Sequence, residues 1–144
     1  MSLFSKRRGL IPGFRWRRCV PAVVWMAVIF ALSSRSGGQL NEWLPFFRGI
    51  FPGLQSFDPM HYAAYFILAL TVAYAFGAYA FTLKGCLWNV ALCVIYGLSD
   101  EWHQAFVPNR SPDPLDLWHD AVGAVSACAI LLLIKLFRQR NRSA

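Results

Sequence analysis

Apolar residues fall in four long blocks along this chain, and the polar residues gather between them. The blocks are Val20–Ser34 (VPAVVWMAVIFALSS, extended backwards by Trp16), His61–Leu83, Gly85–Ser99 and Leu117–Phe137. A helix that crosses a bilayer needs about 20 mostly apolar residues, so each block predicts a spanning helix. The third has only 15 residues and would reach about 22 Å, short of a hydrocarbon core of roughly 30 Å. Its helix is therefore expected to continue through Asp100, Glu101 and Gln104 to Phe106. Those polar groups then sit at or just inside the interface, with Trp102 and Phe106 as an aromatic belt. Two helix starts carry the same signal. DPMH and DPLD place Asp58 and Asp113 at N-caps and Pro59 and Pro114 at the first helical position. The connection Arg35–Met60 reads as a surface-lying loop, with a short amphipathic or re-entrant piece as the alternative.

Composition supports a membrane solvent. The 144 residues are 57% hydrophobic and 15% charged, with a mean hydropathy of +0.42. A soluble domain of this size could not hide that much apolar surface in one core. The expected fold is an all-α integral membrane protein, a compact bundle of about four transmembrane helices. Residues 1–19 form a basic tail, 20–137 the transmembrane domain and 138–144 a second basic tail.

The net charge of +7 would suit nucleic acid, but its placement argues against that partner. Lys6, Arg7, Arg8, Arg15, Arg17, Arg18, Lys84, Lys135, Arg138, Arg140 and Arg142 fall on one face of the predicted topology, without an acid. The opposite face holds three arginines, Arg35, Arg48 and Arg110, against all seven acids. The positive-inside rule then predicts cytoplasmic termini (N-in/C-in) and an extracytoplasmic acidic face. The first block also has the form of a signal peptide, whose removal would leave three spans in the same orientation. Cys19, Cys86, Cys93 and Cys128 show neither a disulfide framework nor a metal-ligand spacing, and no cofactor is expected.

The acids concentrate in SDEWHQAFVPNRSPDPLDLWHD, residues 99–120. Asp116, His119, Asp120, Gly123 and Ala127 share one helical face, and its small residues permit close approach of another helix. Asn89, Tyr96, Asp100 and Gln104 share a face of the preceding helix, with Glu101 beside it. His61 and Tyr65 lie one turn apart on the second. An ionisable residue in a membrane helix is a functional candidate, normally with a partner. The candidate catalytic set is His61, Asp100, Glu101, Gln104, Asp116 and Asp120. Arg110 and Tyr65 are candidates for substrate binding. Asp116 also fits the third position of a capping box. Arg110 is either an ion pair to a carboxylate or a clamp on an anion. His61, His103 and His119 raise zinc, but no H-E-x-x-H or comparable spacing supports it, and the expectation is no metal.

The ordered motifs resemble the VanZ-like membrane proteins over roughly Val20–Ala127. WMAVIFALSS is similar to the family's first span, and His61 with Tyr65 to its H-x3-Y element. YGLSDEWHQAFVPNRSPDPLDLWHDAVG is similar to its long Y…D-E-x-x-Q-x-F-x-P-x-R…D…N/D-x-x-G pattern. The chain departs at Asp58, where the family often has Lys, at Asn109, often Gly, and at Asp120, often Asn. The resemblance implies a small polytopic protein of the bacterial inner membrane, linked to reduced susceptibility to lipoglycopeptides such as teicoplanin. It implies membrane lipids, and a lipid-linked cell-wall intermediate or a lipoglycopeptide, as partners. The oligomeric state stays open.

Three functions fit these residues. In the first, the cluster is an acid–base site at the outer leaflet, with a crowded, buried carboxylate able to donate a proton. In the second it binds a lipid, drug or partner without chemistry. In the third the network only holds helix ends together. A transporter is disfavoured, since polarity at one end of the bundle offers no path through it.

Overall fold

Pro21 opens the first helix, α1 (Val20–Ser33), at a position where a missing N–H costs nothing, after a tight 3-10 turn at Trp16–Cys19. In the computed structural model, which describes residues 16–50, 52 and 58–143, four more helices follow. They are α2 (Gly37–Ile50), α3 (Asp58–Phe76), α4 (Leu83–Gln104) and α5 (Pro114–Ser143). A 3-10 segment, Gly77–Phe81, continues α3 toward α4. The first fifteen residues of the expected basic tail, the segment 53–57 and the Asp58 side chain lie outside the described residues.

Among the described residues, three stretches are long and apolar enough to cross a membrane: Trp16–Ser33, Pro59–Phe81 and Pro114–Arg142, whose most apolar 18-residue windows have mean hydropathies of 1.4, 1.7 and 2.0. Their outer faces carry exposed Val23, Phe30, Tyr74, Leu133 and Phe137. So much exposed apolar surface suits hydrocarbon and not water. α4 has 22 residues, but Asn89 interrupts its apolar face and Asp100 and Glu101 close it. It packs against α1, α3 and α5.

The core is built mostly from small and medium side chains, Ala22, Ile29, Leu68, Ala69, Cys93, Ala124 and Ala127, packed around the fully buried Tyr65. Lipid is as apolar as leucine, so close packing and interhelical hydrogen bonds hold such helices together. Trp25 Nε1 donates to Ala64 O at 2.8 Å, Tyr96 Oη to Met26 O at 2.6 Å, and Asn89 Nδ2 to Ala69 O at 2.9 Å. Each bond ties a side chain of one helix to the backbone of another.

The helix termini follow the sequence signals closely. Asp113 Oδ1 accepts from Leu115 N at 2.8 Å, the expected cap of α5. α4 runs through Asp100 and Glu101 as expected, but stops at Gln104, two residues before Phe106. Trp102 and Phe106 stack edge-on at 5.9 Å on the exposed surface. α5 continues past Phe137 to Ser143, so the described part of the second basic tail is helical. Cations are favoured at a helix C-terminus.

The Arg35–Met60 connection differs from the expected loop, because it contains the 14-residue helix α2. Ser36 and Gln39 form a reciprocal capping box: Ser36 N donates to Gln39 Oε1 at 3.2 Å, and Gln39 N to Ser36 Oγ at 3.3 Å. Exposed Trp43, Phe46 and Ile50 show its amphipathic character. Gly37 N reaches Pro108 O at 3.4 Å, tying the start of α2 to the turn after α4.

Thr82 caps α4, accepting from Gly85 N at 3.0 Å while donating to Tyr79 O at 2.8 Å. Thr82→Ala is expected to lower stability by about 1 kcal/mol, read as a lower thermal midpoint in detergent. An unchanged midpoint would mean that the turn is held by packing alone.

Candidate functional site

Helices that alternate in direction bring distant residues to one end of the bundle. α1 ends there at Ser33, α3 carries His61 in its first turn, α4 ends with Asp100, Glu101 and Gln104, and α5 carries Asp116 and Asp120 in its first two turns. Asp100, Glu101, Gln104 and Asp120 are all buried.

His61 is the hub. Its Nδ1 lies 3.0 Å from Asp120 Oδ1, and its Nε2 lies 3.6 Å from Asp116 Oδ2. Asp120 is only 1% exposed, so His61 is its route to a partner in a place where an unpaired charge would be costly. Gly97 of α4 makes room for it, since a Cβ there would stand 2.7 Å from Asp120 Oδ2. Glu101 Oε2 accepts from Asp113 N at 2.7 Å, while its Oε1 is buried without a hydrogen-bond partner. His61, Glu101 and Asp116 each bring one potential metal-ligand atom within 4.8 Å of the other two.

A second group adjoins the first. Asp100 Oδ2 accepts from Ser33 Oγ at 2.8 Å and from Gln104 Nε2 at 3.0 Å. Gln104 Oε1 accepts in turn from Arg110 Nη2. Arg110 therefore reaches back to an amide, whereas an ion pair to a carboxylate was one of its two expected roles. Gln104 stands between the guanidinium and Asp100, with no net charge of its own. Asn109, just before Arg110, has φ +58°. Asn tolerates that left-handed geometry better than most residues.

From this polar end a groove of about 350 Å³ runs down the bundle. Trp25, Ile29, Ala63, Ala64 and Ile67 line its apolar part, and Ser33, His61, Asp100 and Arg110 its polar end. Trp43 and Phe47 of α2 also line it.

A family model described as VanZ/LLP1 matches residues 19–136. The chain belongs to the VanZ/LLP1 family. No curated protein and no solved structure matches it.

In this VanZ/LLP1 bundle the expected catalytic residues do meet. His61, Glu101, Asp116 and Asp120 form one group, and Asp100, Gln104 and Arg110 the other. Tyr65 is fully buried one turn below His61, with its Oη unpartnered. It belongs to the core under the site and also lines the groove. The other histidines stand to the side. His103 Nε2 is 3.0 Å from Ser34 Oγ and its ring stacks on Phe30 at 4.4 Å, while His119 Nδ1 lies 3.9 Å from Asp116 Oδ1. Ser33 is the member of the VanZ/LLP1 site that sequence reasoning missed. Its only signal is a hydroxyl in the last turn of an apolar span, at the depth of the acids.

Proposed function

We propose that this VanZ/LLP1 protein is a four-span inner-membrane protein, with both termini in the cytoplasm, that acts on a lipid-linked envelope substrate at its outer face. The observation that carries the reading is a groove that is apolar along the bundle and ends among Ser33, His61, Asp100 and Arg110. An amphiphile has that shape, with a hydrocarbon tail and a polar head. The volume lies within the range of small-molecule sites. Placing the polar end outside rests on the distribution of Lys and Arg along the chain, and α4 completes the fourth span.

In this reading the tail lies along Trp25, Ile29, Ala63 and Ile67. Arg110 faces an anionic head group, and its bond to Gln104 holds the guanidinium in place. Glu101 and Asp116 serve proton transfer, while Asp120 orients His61. Through such a substrate the protein contributes to reduced susceptibility to lipoglycopeptides.

The test is teicoplanin susceptibility of a sensitive host expressing wild type, Glu101→Gln or Ala63→Trp, with membrane abundance measured alongside. Wild type is expected to protect. Glu101→Gln removes a proton-transfer group at nearly constant shape, and Ala63→Trp fills the groove. Both are expected to lose at least tenfold of the protection at normal abundance. Protection that persists in both variants, or that falls only with abundance, would return the cluster to architecture.

A further inference from the structure

His61, Glu101 and Asp116 come from three different helices, yet they converge as a ligand set does. We propose that these three side chains hold a divalent transition-metal ion, zinc or manganese, at the polar end of the bundle. Four observations carry this assignment.

The first is the setting of the imidazole. His61 Nδ1 lies 3.0 Å from the buried carboxylate of Asp120. A neutral histidine that donates there keeps its lone pair on Nε2, which faces Asp116. Metal-bound histidines almost always donate their second N–H to a carboxylate, a carbonyl or water, which fixes tautomer and ring plane.

The second is a distance. His61 Nε2 and Asp116 Oδ2 are 3.6 Å apart. That is long for a hydrogen bond. It is close to the roughly 3.4 Å that separates two ligands on a tetrahedral ion with bonds of about 2.1 Å. Glu101 keeps the same company, because the three potential ligand atoms lie within 4.8 Å of one another.

The third is an orphaned oxygen. Glu101 is only 8% exposed, its Oε2 is anchored by Asp113 N, and its Oε1 is buried with no hydrogen-bond partner. A buried carboxylate oxygen without a donor is uncommon. A cation supplies the missing interaction, and the backbone N–H on the other oxygen orients the ligand from behind.

The fourth is charge. Asp100, Glu101, Asp116 and Asp120 crowd around one histidine, while the nearby Arg110 donates to an amide. A dication offsets this excess of acid. The donors, one imidazole and two carboxylates, suit zinc or manganese better than magnesium or calcium, which prefer oxygen alone. Three protein ligands leave at least one position for water or a substrate oxygen. The sequence grouped these three as acid–base candidates but showed no metal-ligand spacing, because they are separated by 40 and 15 residues on three helices.

This inference goes beyond the lipid reading and stands without it; where an ion is bound, Glu101 and Asp116 act as its ligands, and a water on the open position takes over the proton transfer. If both hold, the open position lies near the head-group end of the groove, where an ion polarises an anionic oxygen.

The test is metal uptake by the full-length protein, purified in detergent and stripped with a chelator. ZnCl2, MnCl2 and MgCl2 are titrated separately, with bound metal counted by elemental analysis and the thermal midpoint followed. The expected result is about one zinc or manganese per chain, a rising midpoint and little response to magnesium. Glu101→Gln and Asp116→Asn should each weaken uptake at least tenfold. Asp120→Asn should weaken it about 10–100-fold through the orientation of His61. His103→Ala should leave it unchanged. No saturable uptake by wild type below about 100 µM overturns the proposal without reference to any variant. So does uptake that survives both ligand substitutions, which marks adventitious binding at the surface. Co-purifying lipid is measured on the same preparation. Metal uptake without a retained lipid supports the ion site and counts against the groove reading; a retained lipid without metal uptake overturns the ion site alone.

Discussion

Gly123→Leu is expected to remove most of the folded protein from the membrane. Even a Cβ at this position meets the Tyr62 carbonyl, and it would stand 3.1 Å from Phe66 N. Both obstacles are backbone, so neither can swing aside as a side chain would. α3 and α5 share the largest interface of the bundle, and a leucine would force them apart at the level of Tyr62. Overpacking of this kind costs about 3 kcal/mol or more, a large part of a typical stability. The separation would also pull His61 away from Asp116 and Asp120. Membrane abundance and the thermal midpoint of the purified protein are the readouts. Gly49→Ala is the matched control. Nothing lies within 4 Å of the added methyl, so it should be neutral or slightly stabilising. A Gly123→Leu protein with wild-type abundance and midpoint would show that α3 and α5 do not pack as described.

The second large effect concerns the pair under the site. His61→Leu leaves Asp120, 1% exposed, without its imidazole partner. Removing one member of a buried pair typically costs about 3–5 kcal/mol, because the other is left uncompensated. Asp120→Leu is less severe, since His61 is more exposed and keeps Asp116 nearby. The double variant His61→Leu/Asp120→Leu is expected to regain at least half of the loss seen in His61→Leu. An apolar replacement of a whole buried pair is often close to neutral. The non-additivity is the informative quantity. Additive effects within about 0.5 kcal/mol would mean that the two residues act independently, contrary to their 3.0 Å contact.

Much of this arrangement was legible before any coordinates. The apolar blocks gave the helices, and the short third block required α4 to run on through Asp100 and Glu101. The stripe Asn89, Tyr96, Asp100, Gln104 lay on one face because helical spacing requires it. What escaped depended on partners far along the chain. Ser33 is an ordinary serine until Asp100, 67 residues away, accepts its hydroxyl. The sequence leaves Arg110 between an ion pair to a carboxylate and an anion clamp, and does not point to the amide of Gln104, only six residues back, as its partner. In the sequence α2 ranks behind a loop, as the amphipathic alternative, for a different reason. Glycine and proline weigh against a helix by propensity, and they hid the capping box at Ser36 and Gln39. Gly97 carried no local signal, because its role is to leave space for an oxygen on α5.

The order of the helices has a consequence for how the chain is made. Domains emerge and fold from the N-terminus as they are synthesised. His61 leaves the ribosome on α3, and Asp100 and Glu101 on α4, before α5 exists. Until Asp116 and Asp120 arrive, the imidazole lacks both of its acidic partners, and Glu101 lacks the Asp113 amide. A chain interrupted after α4 therefore shows exposed polar groups on two helices that belong in a closed bundle.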